Sequence, residues 1–225
     1  MPSEIKKEVT LEIVHVLFLD IVGYSKRLTD EQQSLIDQLN QVVRSSAVFQ
    51  KAEGADRLIK IPTGDGMALI FYNSPEQPVE CALEISRELK GFPEMLVRMG
   101  VHSGPVSAVT DLNDRTNAAG IGINVAQRVM DCGDSGHILL SKRVAEDLQQ
   151  NGRWRPSLHD LGEVEVKHGE RVHVFNFYTD DAGNPEPPKK CHRQSRFTGR
   201  QQRALPTELR RNEHGSRSAS CRLPT

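Results

Sequence analysis

Two aspartates in this sequence stand where carboxylates can do chemistry. Asp20 closes residues 13–20 (IVHVLFLD), the most apolar run of the chain, and Asp65 sits between Gly64 and Gly66 in Pro-Thr-Gly-Asp-Gly. Alone, the first would be an ordinary strand-end residue and the second an ordinary turn residue. Brought together with backbone oxygens between them, they form a hard-cation site suited to Mg²⁺ or Mn²⁺, with triphosphate oxygens of a substrate completing the shell. In such a site one ion activates an attacking hydroxyl and the other neutralises the leaving phosphates.

Two further groupings can serve the same chemistry. Ile21-Val22-Gly23-Tyr24-Ser25 follows Asp20 directly and leads into a helix. A glycine-containing turn at a helix start presents backbone N–H groups that can hold phosphate, although many strand-to-helix turns look alike. In residues 120–128 (GIGINVAQR), Asn124 and Arg128 lie four apart and share one helix face. An amide beside a guanidinium can orient a ribose and stabilise charge on a phosphorane-like transition state, or it can be a solvated polar face.

The elements that must position these residues read as follows. Residues 13–20 are apolar on both faces, as a buried central strand requires. Leu35, Ile36, Leu39, Val42, Val43 and Ser46 recur at helical spacing after a cap at Thr29 or Asp30. Residues 57–61 and 67–71 make a hairpin about the Gly-Asp-Gly turn, residues 74–90 a second amphipathic helix, and 96–102 a strand. This is the βαββαβ order of a ferredoxin-like sheet, an α+β fold in which the first strand lies beside the hairpin, so that Asp20 and Asp65 converge. A helix over 120–130, a strand over 137–141, a helix over 142–150 and strands over 164–166 and 172–178 complete the domain, assigned to residues 1–180.

Composition narrows the setting. The chain is 37% hydrophobic and 26% charged over 225 residues, which suits one globular domain and a tail. No apolar stretch approaches the ~20 residues that span a bilayer, and the start, MPSEIKKEVT, has no apolar signal core. Four cysteines without CxxC spacing predict reduced thiols and a cytoplasmic location. Residues 181–225 hold 10 Lys or Arg against 4 Asp or Glu, so the first 180 carry a net charge of −7. A body this acidic argues against specific nucleic-acid binding. The tail, rich in Arg, Gln, Ser and Pro without periodicity, is expected to be disordered.

The segments FLDIVGYSKRL at 18–28, KIPTGDGMALIF at 60–71, RMGVHSGPV at 98–106 and GIGINVAQRV at 120–129 resemble, in order, the signatures of class III adenylyl/guanylyl cyclases. The resemblance covers roughly residues 10–178. It implies a catalytic domain that turns a nucleoside triphosphate into a 3′,5′-cyclic nucleotide and diphosphate with two divalent metal ions. It implies Asp20, Asp65 and the carbonyl of Ile21 as metal ligands, and Gly23, Tyr24 and Ser25 as the phosphate-cradling turn. Asn124 and Arg128 match the transition-state pair, and Lys167 lies within a residue of the family's phosphate-binding lysine. In the family the two halves of each site meet across a head-to-tail interface, which implies a homodimer.

The base-reading positions depart from the purine pattern. Three residues before the Gly-Asp, where purine cyclases place Lys or Glu, stands Ile61; seven residues before Asn124 stands Asn117. Lys60 is one position out, on the opposite strand face unless a bulge near Pro62 returns it. Such a domain, with no sensor or anchor beside it, is similar to stand-alone bacterial pyrimidine cyclases of antiphage defence, which make cUMP or cCMP for a separate cyclic-nucleotide-responsive effector. The expectation is therefore a uridylate or cytidylate cyclase. An adenylate cyclase with an unusual base pocket and a nucleotide-binding pseudocyclase are the alternatives; a diguanylate cyclase lacks support because no GGDEF-type hairpin is present.

Overall fold

The computed structural model describes residues 11–110, 116–166 and 169–191, with the side chains of 108–110, 116 and 117 excepted. The chain runs β1 (Leu11–Ile21), α1 (Thr29–Ser45), α2 (Ala47–Gly54), β2 (Leu58–Pro62), β3 (Gly66–Phe71), α3 (Glu76–Glu88) and β4 (Val97–Thr110). It continues through β5 (Thr116–Ala119), α4 (Ile121–Met130), β6 (Ile138–Ser141), α5 (Lys142–Gln149), β7 (Leu158–Glu165) and β8 (Arg171–Phe177). The eight strands form one sheet in the order β2-β3-β1-β4-β6-β8-β7, with β5 paired to β4. The expected α+β fold and its βαββαβ core are therefore present, with the first helix divided.

That division has a local cause. Ser46 is extended, its Oγ accepts from the N–H of Phe49 to cap α2, and it donates to Glu84 on α3 at 2.6 Å. A helix stop and a helix start thus share one residue. The start of α1 differs from the expected cap: Leu28 is the N-cap, and the carboxylate of Glu31 accepts from its N–H at 3.1 Å. Thr29 and Asp30 fall inside the first turn.

From Val14 onward both faces of β1 are covered, as its largely apolar pattern requires, whereas Leu11, Glu12 and Ile13 are exposed. Leu17, Leu19 and Ile21 pack with α1, α2, α3 and α5 through Leu39, Val42, Phe49, Val79, Ile85 and Leu148. Val14, Val16 and Phe18 face the other way and meet Ala126 and Met130 of α4. The helices are thus not confined to one face: α4 is the one helix that packs against the second among the described residues. It approaches the sheet closely, since a Cβ at Gly100 would stand 2.4 Å from the backbone nitrogen of Met130. By alternation Asp20 falls on this α4 face.

Contacts with the body of the fold also run past residue 180. Ala182 is buried in the main core, the N–H of Gly183 donates to Ser86, and Asn184 bonds Ser135 and Asn176. His137 Nε2 contacts the carbonyl of Glu186 at 2.6 Å. Residues 182–186 thus pack and hydrogen-bond against the sheet and helices, while residues 192–225 lie outside the described ones. Among the described residues no helix is long and apolar enough to cross a membrane.

Candidate active site

Asp20 occupies the last turn of the pleat in β1, directly across from Gly66 of β3 and Arg98 of β4. The tight β1–β3 crossing here requires glycine: a Cβ at Gly66 would lie 2.0 Å from the carbonyl oxygen of Leu19. The neighbouring turn is fastened to β1 by the N–H of Ile21, which donates to the carbonyl of Asp65 at 2.9 Å. The sheet therefore brings Asp20, Ile21 and Asp65 together at one end of the central strands, as the βαββαβ order predicts. Asp65 is exposed at the hairpin tip, whereas Asp20 is 6% exposed.

Burial pushes the Asp20 carboxyl up to about 6; the Arg98 guanidinium pulls it down, and the negative charge of Asp65 adds to the rise. Arg98 donates through Nε at 2.9 Å and Nη2 at 2.7 Å, both to Oδ2 of Asp20. Oδ1 is buried and has no hydrogen-bond partner. An orphaned carboxylate oxygen beside a second carboxylate is the donor set of a hard cation, so these residues fit a Mg²⁺ or Mn²⁺ site. No group of three or more His, Cys, Asp or Glu able to hold a metal exists among the described residues. Two carboxylates and backbone oxygen thus leave several coordination positions for substrate phosphates and water.

Arg98 escaped the sequence reading. A single arginine opening a strand reads as a solvated charge, and only the β1–β4 register places it across from Asp20.

The turn after β1 leaves backbone donors unused. Gly23 adopts φ 78°, a left-handed conformation suited to glycine, and Tyr24–Lys26 form one 3₁₀ turn. Among the described residues, no hydrogen bond uses the N–H of Gly23, Tyr24 or Ser25. Gln32 holds the turn by donating its amide to the carbonyls of Tyr24 and Arg27.

Asn124 is exposed on the outward face of α4. Arg128, one turn on, forms an ion pair with Glu170 in the β7–β8 connection. No hydrogen bond or ion pair joins either residue to Asp20 or Asp65 among the described residues.

At the base-reading positions, Ile61 packs against the α4-side cluster while Lys60 turns to the opposite face. There Lys60 Nζ pairs with Glu53 of α2 at 2.5 Å and lies 6.0 Å from the Phe49 ring centre. The β2–β3 register runs unbroken from Leu58–Phe71 to Pro62–Met67. No bulge returns Lys60 to the α4 side. The backbone of Asn117 pairs with Val109 across the β4–β5 ladder; its side chain, and the whole of Lys167, lie outside the described residues.

Comparison with known proteins places this geometry. Residues 6–179 match the family described as the adenylate and guanylate cyclase catalytic domain. The fold is similar to that of the adenylyl cyclase CyaB from P. aeruginosa, at 18% identity and a TM-score of 0.61, covering 78% of this chain and 100% of that one. The guanylate cyclase domain of RhGC from Catenaria anguillulae, solved in complex with GTP, gives 23% identity and a TM-score of 0.62 over 78% of this chain and 100% of that one. An adenylate/guanylate cyclase/hydrolase from Silicibacter pomeroyi gives 24% and 0.58 over 77% of this chain and 100% of that one. No curated protein matches.

Proposed function

Because this chain belongs to the adenylate and guanylate cyclase catalytic domain family and is thus a nucleotidyl cyclase, we propose that its substrate is a pyrimidine nucleoside triphosphate. UTP, or CTP, is converted to the cyclic 3′,5′-monophosphate and diphosphate. The observation that carries this reading is the Ile61–Lys60 pair. An apolar side chain occupies the position that would read a purine edge, and the adjacent lysine is committed to Glu53 behind the sheet. A buried polar reader gives discrimination of several orders of magnitude, and Ile61 supplies none. Polar selection then falls to Asn117, whose amide both donates and accepts and so suits either pyrimidine.

Asp20, Asp65 and the carbonyl of Ile21 would hold two divalent ions. Bound there, such ions lower the barrier to deprotonating the ribose 3′-hydroxyl and neutralise the departing diphosphate. The free N–H groups of Gly23, Tyr24 and Ser25 would seat phosphate oxygens. Lys167 would add a charge to that phosphate site. Asn124 would orient the ribose, and Arg128, exchanging Glu170 for the α-phosphate, would stabilise the charge that grows on it. A head-to-tail homodimer, the arrangement that the family resemblance implies, would complete two equivalent sites by bringing Asn124 and Arg128 of one chain to Asp20 and Asp65 of the other. The cyclic product is then a diffusible message for a separate effector in a cytoplasmic antiphage response.

The test is kcat/KM for UTP, CTP, ATP and GTP in the wild type, Ile61→Lys and Asn117→Ala. The wild type should favour a pyrimidine, Asn117→Ala should narrow that preference, and Ile61→Lys should raise ATP use. A wild type that prefers ATP by roughly ten-fold or more is an adenylate cyclase, and the pyrimidine assignment fails. Binding of a triphosphate without turnover would make the chain a pseudocyclase.

A further inference from the structure

Arg98 carries a charge that cannot be discharged by deprotonation, and it sits on the carboxylate that a cation must take. Its Nη2 is 2.7 Å from Oδ2 of Asp20 and 3.1 Å from Oδ1 of Asp131, the residue that ends α4. All three side chains are at least three-quarters buried. A divalent ion beside Asp20 repels the guanidinium, and a charge left without a partner in this setting is costly. Asp131 is already within reach.

We propose that Asp131 is a positioning residue of the cation site: it receives the Arg98 guanidinium when a divalent ion takes Asp20. This rests on the reading of Asp20 and Asp65 as cation ligands. In the metal-free protein Arg98 is shared between two carboxylates and shields the buried one. In the loaded protein it would belong to Asp131, which would leave the Asp20 carboxylate available to the ion. Because Asp131 follows directly on the helix that carries Asn124 and Arg128, the same exchange ties cation occupancy to the end of α4.

The experiment titrates Mn²⁺ alone, without nucleotide, against the full-length protein at about pH 8, reading free Mn²⁺ by electron paramagnetic resonance. Four proteins are compared: wild type, Asp131→Asn, Arg98→Gln and the double variant, with thermal melts to establish folding. Asp131→Asn should weaken Mn²⁺ binding by roughly ten-fold, the size of one partly buried charge-assisted hydrogen bond. In the Arg98→Gln background the same substitution should change binding by less than about two-fold, because no guanidinium needs a home. Asp131→Glu, which keeps the charge, should restore most of the affinity. Equal weakening in both backgrounds would mean that Asp131 only supports the fold, and no weakening in either would remove its role altogether. A wild type that binds no Mn²⁺, or an Asp20→Asn variant that binds as well as wild type, would overturn the two-carboxylate site itself and the proposal with it.

Discussion

Replacing Asp20 by Asn should abolish turnover and, at neutral pH, make the metal-free protein more stable. Asp20 is 6% exposed, and its carboxyl is raised from an ordinary 3.8 to about 6, chiefly by burial. A group whose pKa is higher in the folded than in the unfolded state contributes full stability below its unfolded value. That stability is lost as pH rises through the folded value. A rise of this size corresponds to about 3 kcal/mol, the penalty that the ionised carboxylate imposes on the fold above about pH 7. The pull of Arg98 is already contained in that net value. Asparagine has the shape of the protonated acid and never ionises, so it escapes the penalty. Urea unfolding in EDTA between about pH 4 and pH 8 reads the difference. The two proteins should be equally stable near pH 4, and Asp20→Asn should gain about 3 kcal/mol by pH 7.5. Adding Mn²⁺ should then stabilise the wild type and leave the variant unchanged. A variant less stable than wild type at neutral pH, or a difference independent of pH, would refute the argument that burial strain is stored at this carboxylate.

Gly66→Ala should destabilise the fold by about 3 kcal/mol or more, because its Cβ would overlap the carbonyl of Leu19 and push β3 from β1; equilibrium unfolding reads the loss. Ending the chain after Cys191 should leave the melting temperature unchanged, whereas ending it after Asp180 should cost about 2–4 kcal/mol in lost Ala182 packing and in the hydrogen bonds of Gly183 and Asn184. Mixing Asp65→Ala with Arg128→Ala should restore about a quarter of wild-type activity, since half of randomly exchanged dimers are mixed and each holds one intact site. No recovery after demonstrated subunit exchange would put a complete site in each chain.

How much of this was legible in the sequence differs from residue to residue. The central strand was legible because Ile13–Asp20 lacks the polar alternation of a one-sided strand, and burial on both faces follows from Val14 on, while Ile13 is exposed. Lys60 and Ile61 were assigned to opposite faces by the period of two, and the unbroken register bears that out. The face chosen by α4 was not legible, since helical periodicity gives an inward stripe without saying which side of the sheet receives it. The expected end of β4 at His102 fell short by eight residues: Ser103-Gly104-Pro105 reads as punctuation, yet a Cβ at Gly104 would lie 3.0 Å from Gly122 on α4. Residues 181–191 look like tail in the sequence because they hold few apolar side chains, and most of their anchorage is through hydrogen bonds that involve backbone groups, which leave no periodic trace. The convergence of Asp20 with Asp65 was readable from topology alone. Arg98 and Asp131 became visible only with the register of β1 against β4 and the docking of α4 over them.

The most direct test of the account is product identification by mass spectrometry after incubation with Mn²⁺ and each of the four ribonucleoside triphosphates, for the wild type and for Asp65→Ala. Asp65 is exposed at the hairpin tip, so the variant should fold normally. The account predicts a 3′,5′-cyclic monophosphate and diphosphate from the wild type, with a pyrimidine base favoured, and no cyclic product from the variant. Linear monophosphate or free phosphate from the wild type, or an Asp65→Ala variant that cyclises undiminished, would contradict it.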